Sequence, residues 1–360
     1  MSETPKLYIA GMGMITPVGF DTASTAAAVR AGISGYEIST SYYGQNDEPI
    51  TMASVPYMAL DALDAKIGEG SRYNDRHDRV IKMAIIAIRE ACTRCNTKQP
   101  VPLVLAMPQE EKDSEGLTPF IENLEQNCQP WISARQHRTM NSGRAAGIEA
   151  LEYVFRNLNN LTTDFVMIGG SDSYQDYSRI GPLSKDDRLL SAGNKDGFAP
   201  GEGAAFLLLT RRPDLALERN GHIVAVNAPA VAEEAGHLDS DEPYRGDGLD
   251  RAFKKALLHY EQSSIHSIYS SMNGEHHWAK EYGVAYIRNK SAFADPVKTE
   301  HPADCYGDLG SATSPALIAL AAEHLFNQPM ARAHLVCSSS DTAMRGAVVV
   351  EKMPAMANNS

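Results

Sequence analysis

The sequence predicts an α/β layered fold built from two similar halves. Three observations lead there. Short, nearly all-apolar runs recur at residues 7–15, 101–107, 165–168, 204–209 and 347–350, as strands covered on both faces require. Helix-spaced apolar patterns separate them. The chain of 360 residues is long enough for two domains or one large double domain.

In the first half, the run 7–15 is broken by Gly11 and Gly13 and reads as a buried strand entering a turn at Thr16-Pro17. Ala-rich residues 22–30 read as a helix. Residues 33–75 are polar, rich in Tyr and Gly, and read as an irregular insertion. Spacing over 79–94 puts Val80, Ala84, Ile85 and Ile88 on one helical face. Residues 101–107 read as a parallel strand, 108–138 as polar and irregular, 144–158 as a helix. Residues 165–168 form a further strand, ending in Gly169-Gly170. After the strand 204–209, Arg211-Arg212-Pro213 breaks the chain. The halves are therefore drawn as residues 1–212 and 213–360. The second half repeats the theme with strands at 222–227, 267–272, 334–337 and 347–350 and helices at 249–260 and 311–326.

Composition narrows the function. Hydrophobic residues at 43% and charged residues at 22% are globular values, which excludes disorder over most of the chain. The net charge of −12 excludes a nucleic-acid binder and disfavours an anionic membrane surface. No secretory signal and no spanning apolar segment is expected. The cysteines Cys92, Cys95, Cys128, Cys305 and Cys337 are an odd, sparse set, which points to a reduced, cytoplasmic protein. Cys92 and Cys95 form a lone CxxC at the end of a helical pattern and read as structural thiols. Gly11-Met12-Gly13 fails as a dinucleotide fingerprint, because its third glycine would fall on Thr16, and reads as a tight strand exit. His276 and His277 are adjacent and point to different faces, so they make a poor metal pair. No cofactor and no metal is expected.

The informative segment is Asp196-Gly197-Phe198-Ala199-Pro200-Gly201-Glu202-Gly203-Ala204, a Gly-rich loop feeding a buried strand, where Glu202 can cap backbone amides. It resembles the DGFxxGEGA stretch of β-ketoacyl synthases of the thiolase superfamily. Three more stretches resemble that family in the same order: the opening 9–19 (IAGMGMITPVG), 164–173 (DFVMIGGSDS) and 307–312 (GDLGSA). The resemblance implies a thiolase-like double domain with five αβαβα layers and two mixed five-stranded sheets. It also implies acyltransferase chemistry in fatty acid or polyketide synthesis. Pairing as a homodimer, or as a heterodimer with a related ketosynthase, would run through the strand 165–168. An acyl carrier protein or acyl thioester is an implied partner.

The family's reacting residues are replaced. Its nucleophilic Cys position falls on Arg144, or on Met140 or Asn141 if the Ser-Gly pair sets the frame. Its first His falls on Asn273, its second His/Asn on Asp308. Its closing glycine loop becomes Ser340-Asp341-Thr342-Ala343. Arg has no nucleophilic lone pair, Asn is no general base, and Asp repels a developing enolate. The expectation is a degenerate synthase that has lost condensation and acts as an acyl-binding or structural partner. Arg144, if buried, needs an anion, and Asp308 is the obvious one. Ser142 is the alternative nucleophile for an acyltransferase or hydrolase, given a base such as His137, His276 or His277. Otherwise Ser142 caps the helix near Arg144. Arg135, Arg138 and Arg144 are the clustered arginines near the expected entrance for a carrier protein.

Overall fold

A computed structural model describes residues 5–65, 75–95, 97, 99–109, 117–258, 260 and 264–355. In β1 (Leu7–Ile15) every residue except Tyr8 is buried, as its apolar run demands. β2 (Tyr36–Tyr43) and β3 (Pro49–Ala53) pair as a separate hairpin within the stretch expected to be irregular. The first half continues with β4 (Leu103–Ala106), β5 (His137–Met140), β6 (Phe165–Ser173) and β7 (Glu202–Thr210). The second half supplies β8 (His222–Val226), β9 (Ala230–Glu233), β10 (Ile265–Ser270), β11 (Phe293–Glu300), β12 (Ala333–Ser339) and β13 (Met344–Pro354).

Strands β5, β4, β6, β7 and β1 lie side by side in that order, and so do β8, β13, β12, β10 and β11. Each set mixes parallel and antiparallel neighbours, giving two five-stranded blocks, with β9 added on β13. The sequence implied two separate sheets. Instead, Leu7 pairs with Val226 and Tyr8 with Ala225, so hydrogen bonding runs from one block into the other. Beyond Tyr8 the joint opens, and β1 is paired with β7 alone.

Helices Ala146–Arg156 and Thr313–Asn327 lie between the blocks and touch both. Within Thr313–Asn327 only His324 and Asn327 escape burial, as a helix wedged between two sheets requires. Helix Asp75–Ala91 covers the outer face of the first block. Helix Asp247–Leu258 covers the second, with His276–Arg288 packed on it. Five layers result. Gly11 and Gly13 are not a strand exit. A Cβ at either would sit 1.9 or 1.8 Å from the carbonyl oxygen of Ala91 or Ala87, so the glycines let the outer helix lie directly on β1.

Two further expectations are corrected. The stretches 33–75 and 108–138 are not wholly irregular: besides the hairpin they hold helices Tyr57–Asp61 and Leu117–Asn127 and the strand β5. Residues 66–74 and 110–116 of those stretches lie outside the described residues. Residues 165–168 are not an edge, because β6 is paired on one side with β4 and on the other with β7. Among the described residues, the edge of this block is β5. Cys92 and Cys128 are buried in the outer core, and burial pushes the Cys128 thiol up to about 12. Among the described residues, no helix is long and apolar enough to cross a membrane.

Candidate functional site

After β5 the chain turns through Gly143, whose φ of +69° is left-handed, and enters helix Ala146–Arg156. Arg144 sits at this turn and is 4% exposed. Its Nη1 donates to Asp308 Oδ2 at 2.8 Å, its Nη2 to Asp341 Oδ1 at 2.5 Å, and its Nε to the Ser339 carbonyl at 2.9 Å. The Trp278 ring centre lies 4.5 Å from the guanidinium carbon. Asn273, just past β10, donates from Nδ2 to the same Asp308 Oδ2 at 2.9 Å and to Glu275 Oε2 at 3.2 Å. Asp308 Oδ1 accepts the Gly310 N–H at 2.8 Å. Arg144, Asn273 and Asp308 therefore meet where the two halves join.

Sequence reasoning missed the rest of this cluster. Arg188 donates to both oxygens of Glu275, at 2.8 and 2.9 Å, and from Nη1 to Asp341 Oδ2 at 2.8 Å. The Trp278 indole N–H donates to Glu275 Oε2 at 2.8 Å. The network holds two guanidiniums and three carboxylates. Burial alone would depress the Arg144 pKa, but Asp341 and Asp308 outweigh it and hold the group above its ordinary value. Burial alone would raise the Asp341 carboxyl, yet Arg144 and Arg188 hold it well below the usual carboxylate range. Behind Trp278, the fully buried Arg345 donates from Nε to Glu281 at 2.5 Å. Arg345 is signalled by a charge inside an otherwise apolar strand, whereas Arg188 and Glu275 sit among polar and charged residues and carry no such signal. No spacing links them, because they come from segments far apart in the chain.

Ser142 does not meet a histidine. Its Oγ donates to Glu149 Oε2 at 2.7 Å, and it makes no side-chain cap on the turn that follows. His137 Nδ1 contacts the Ala134 carbonyl oxygen at 2.8 Å, His276 is paired with Asp196, and the His277 ring lies 4.4 Å from that of Tyr244. The segment 340–343 clamps the turn instead of opening an oxyanion site. Ser340 Oγ donates to the Ser142 carbonyl and accepts the Ala145 N–H at 3.0 Å. Arg144 is locked in the cluster and is not available to a docking protein, which leaves Arg135 and Arg138 exposed at β5.

The space left is small. A cavity of ≈ 10 Å³, about the room one water takes, is lined by residues including Asn273, Asp308, Ser271, Tyr306 and Leu317. Ligand pockets usually span about 300–1,000 Å³. Among the described residues, no group of three or more His, Cys, Asp or Glu is placed to hold a metal.

A second buried ionic site lies in the first half. Glu202 is fully buried and caps one amide, the Val55 N–H at 2.7 Å. It also accepts from Arg79 Nε at 2.9 Å, Ser173 Oγ at 2.8 Å and Gln175 Nε2 at 2.9 Å. Nearby, Asp172 accepts from Arg76 and Arg179 and from the Ser311 N–H at 3.0 Å. Burial would raise the Asp172 carboxyl, but Arg179 and Arg76 draw it below its ordinary value.

This architecture recurs in solved structures. The ishigamide ketosynthase/chain length factor matches with a TM-score of 0.72 at 19% identity, over 97% of this chain and 99% of that one. The fold is that of the thiolase-like ketosynthases. A ketosynthase in complex with its chain length factor from Xenorhabdus doucetiae gives a TM-score of 0.73 at 15% identity, over 96% of this chain and 98% of that one. A type II polyketide acyl-carrier protein in complex with its ketosynthase gives 0.73 at 14%, over 97% and 99%. In sequence, the chain is 29% identical over 128 residues to pikromycin polyketide synthase component PikAIII of Streptomyces venezuelae, covering 33% of this chain and 8% of that protein. No family profile matches. The chain thus spans less than a tenth of this curated relative.

Proposed function

We propose that this chain is a non-condensing ketosynthase-like protein that serves as the structural partner of a competent synthase in acyl-chain synthesis. One observation supports the reading above the others: the Arg144 guanidinium is held by Asp308, Asp341 and the Ser339 carbonyl. Condensation by the family mechanism needs a thiolate-like nucleophile at the start of the central helix. It also needs neutral or cationic donors that stabilise an enolate. Arg144 gives no lone pair. Asn273 spends its amide hydrogens on Asp308 and Glu275. Asp308 adds negative charge where the enolate forms. The small cavity favours a structural over an acyl-binding role for this centre. Pairing with a copy or with a related ketosynthase would use β5, the edge of the first block among the described residues, in place of residues 165–168.

The experiment is a malonyl-release and elongation assay on the purified chain beside an Arg144→Cys variant. The unmodified protein gives no turnover above the no-enzyme background. Turnover by it overturns the reading, whatever the variant does. The acyltransferase or hydrolase alternative through Ser142 finds little support, since the hydroxyl faces a carboxylate and no imidazole.

A further inference from the structure

Between the first residues of β4 and β5 and the last turn of helix Ala146–Arg156 lies a groove of ≈ 360 Å³ that the central site does not use. That is within the usual range of about 300–1,000 Å³ for ligand pockets. Its floor is apolar, with Val104, Val154 and Val166 from the core between the two sheets. Its rim carries Arg135 and Arg138. Arg138 is in register with Val104, so both side chains stand on the inner face of the sheet.

Charge is the second observation. Asp and Glu outnumber Lys and Arg by 45 to 33 in the chain, yet among the described residues no carboxylate lines this groove. Arg138 Nη1 donates to the His137 carbonyl at 3.3 Å, and among the described residues no carboxylate pairs with it or with Arg135. By contrast, the buried Arg76, Arg79 and Arg144 are each held by a carboxylate. The closing carbonyls of the helix would repel an anion. Asn157 answers them: its backbone N–H bonds to Tyr153 and Val154 and its Nδ2 donates to Tyr153 at 2.8 Å.

We propose that this groove binds a small amphiphile, with an anionic head, carboxylate or phosphate, on Arg138 and Arg135 and an apolar tail on the valine floor. A guanidinium fork matches either head. The site is separate from the central one. β4 and β5 are parallel, and their C-terminal ends, Ala106 and Met140, lead toward the Arg144 turn, while the groove lies at their other ends. Along the helix, Val154 is about 12 Å beyond Ala146. The proposal therefore goes beyond the non-condensing reading and does not depend on it. It uses the inner face of β5 and not its hydrogen-bonding edge.

The test is calorimetric titration of the full chain with octanoate, octyl phosphate, 1-octanol and acetate, for the wild type and Arg138→Gln. Arg138 is exposed, so the substitution leaves the fold intact, which circular dichroism checks. One site per chain is expected for octanoate or octyl phosphate, and the tighter of the two identifies the head. It should bind at least about tenfold tighter than octanol, which lacks the charge, or acetate, which lacks the tail. Arg138→Gln should weaken it about tenfold through loss of a charge-assisted hydrogen bond. A diazirine-bearing analogue of the tighter ligand should label the peptides that hold residues 102–104, 135–138 or 153–166. The proposal is overturned by the absence of saturable binding of both charged ligands, by octanol binding as tightly, by an unchanged affinity in Arg138→Gln, or by labelling elsewhere. None of these results touches the non-condensing reading, which only turnover contradicts.

Discussion

The two buried ionic sites of this molecule use the same residue types for different ends. At the Glu202 site every element belongs to the first half, and Glu202 is fully enclosed with an arginine, a hydroxyl, an amide and a backbone N–H around it. The central site draws Arg144 and Arg188 from the first half and Asn273, Glu275, Asp308 and Asp341 from the second. There three carboxylates face two guanidiniums, and the Asp341 side chain is 32% exposed. The first site holds a loop to a sheet. The second ties one half to the other at the point where a ketosynthase-like fold is expected to do chemistry. A buried charge is thus a matter of holding a loop in one place and of joining the two halves in the other.

The enclosed site should be the costlier to break. Arg79→Met leaves the Glu202 carboxylate buried without its cation, and the expected loss is about 3–5 kcal/mol in urea unfolding. A loss below that of Arg144→Met would reverse the ranking of the two sites. Arg144→Met should cost less, about 3 kcal/mol, because buried Asp308 keeps the Asn273 amide and the Gly310 N–H, and Asp341 keeps Arg188 and reaches solvent. Adding Asp308→Leu to Arg144→Met removes both charges of a pair and should recover most of that loss. If the double variant is worse than the single one, the centre contributes more than a compensated ion pair.

Acid titration sharpens the contrast. The arginines hold the Asp341 carboxyl below its ordinary value, so its pairing stabilises fully above the unfolded value of about 4 and is lost as pH falls through the lower folded value. Asp341→Asn should therefore be less stable than wild type at pH 7, with a gap that narrows below about pH 4. A gap independent of pH would remove charge from the account. A smaller effect comes from a buried group with no counter-charge. His334 Nε2 lies 2.8 Å from His324 Nδ1, and burial first, then His324, draw the His334 pKa down to about 3. The unfolded chain takes up a proton there below about pH 6.5, so stability falls as pH drops from that value. His334→Gln should show a shallower decline between about pH 6.5 and 5 than wild type, by up to about 1.4 kcal/mol per pH unit. An unchanged slope would contradict this.

Legibility in the sequence followed burial. The run 7–15 and the helix 22–30 stood out because apolar or Ala-rich pattern and element coincide. β5 was missed because an edge strand reading His-Arg-Thr-Met is half exposed and lacks the apolar signature. The same physics misplaced the edge: the apolarity of residues 165–168 marks a strand covered on all sides. Arg144, Asn273 and Asp308 could be named because ordered motifs locate them one by one. Arg188, Glu275 and Asp341 could not, since only folding brings their segments together and Asp341 was visible merely as part of a replaced loop. Gly11 and Gly13 were seen, but their reason, a helix carbonyl lying against each, exists only in the packed layers.

The central claim is that this centre holds no group able to take up an acyl chain, and intact-mass measurement after exposure to an acyl thioester tests it most directly. Ser142, hydrogen-bonded to Glu149 at 2.7 Å and 9% exposed, is the residue most open to challenge, and Ser142→Ala serves as the control. The account predicts an unchanged mass for both proteins. An acyl adduct on the peptide that contains Ser142, absent from the variant, would contradict it.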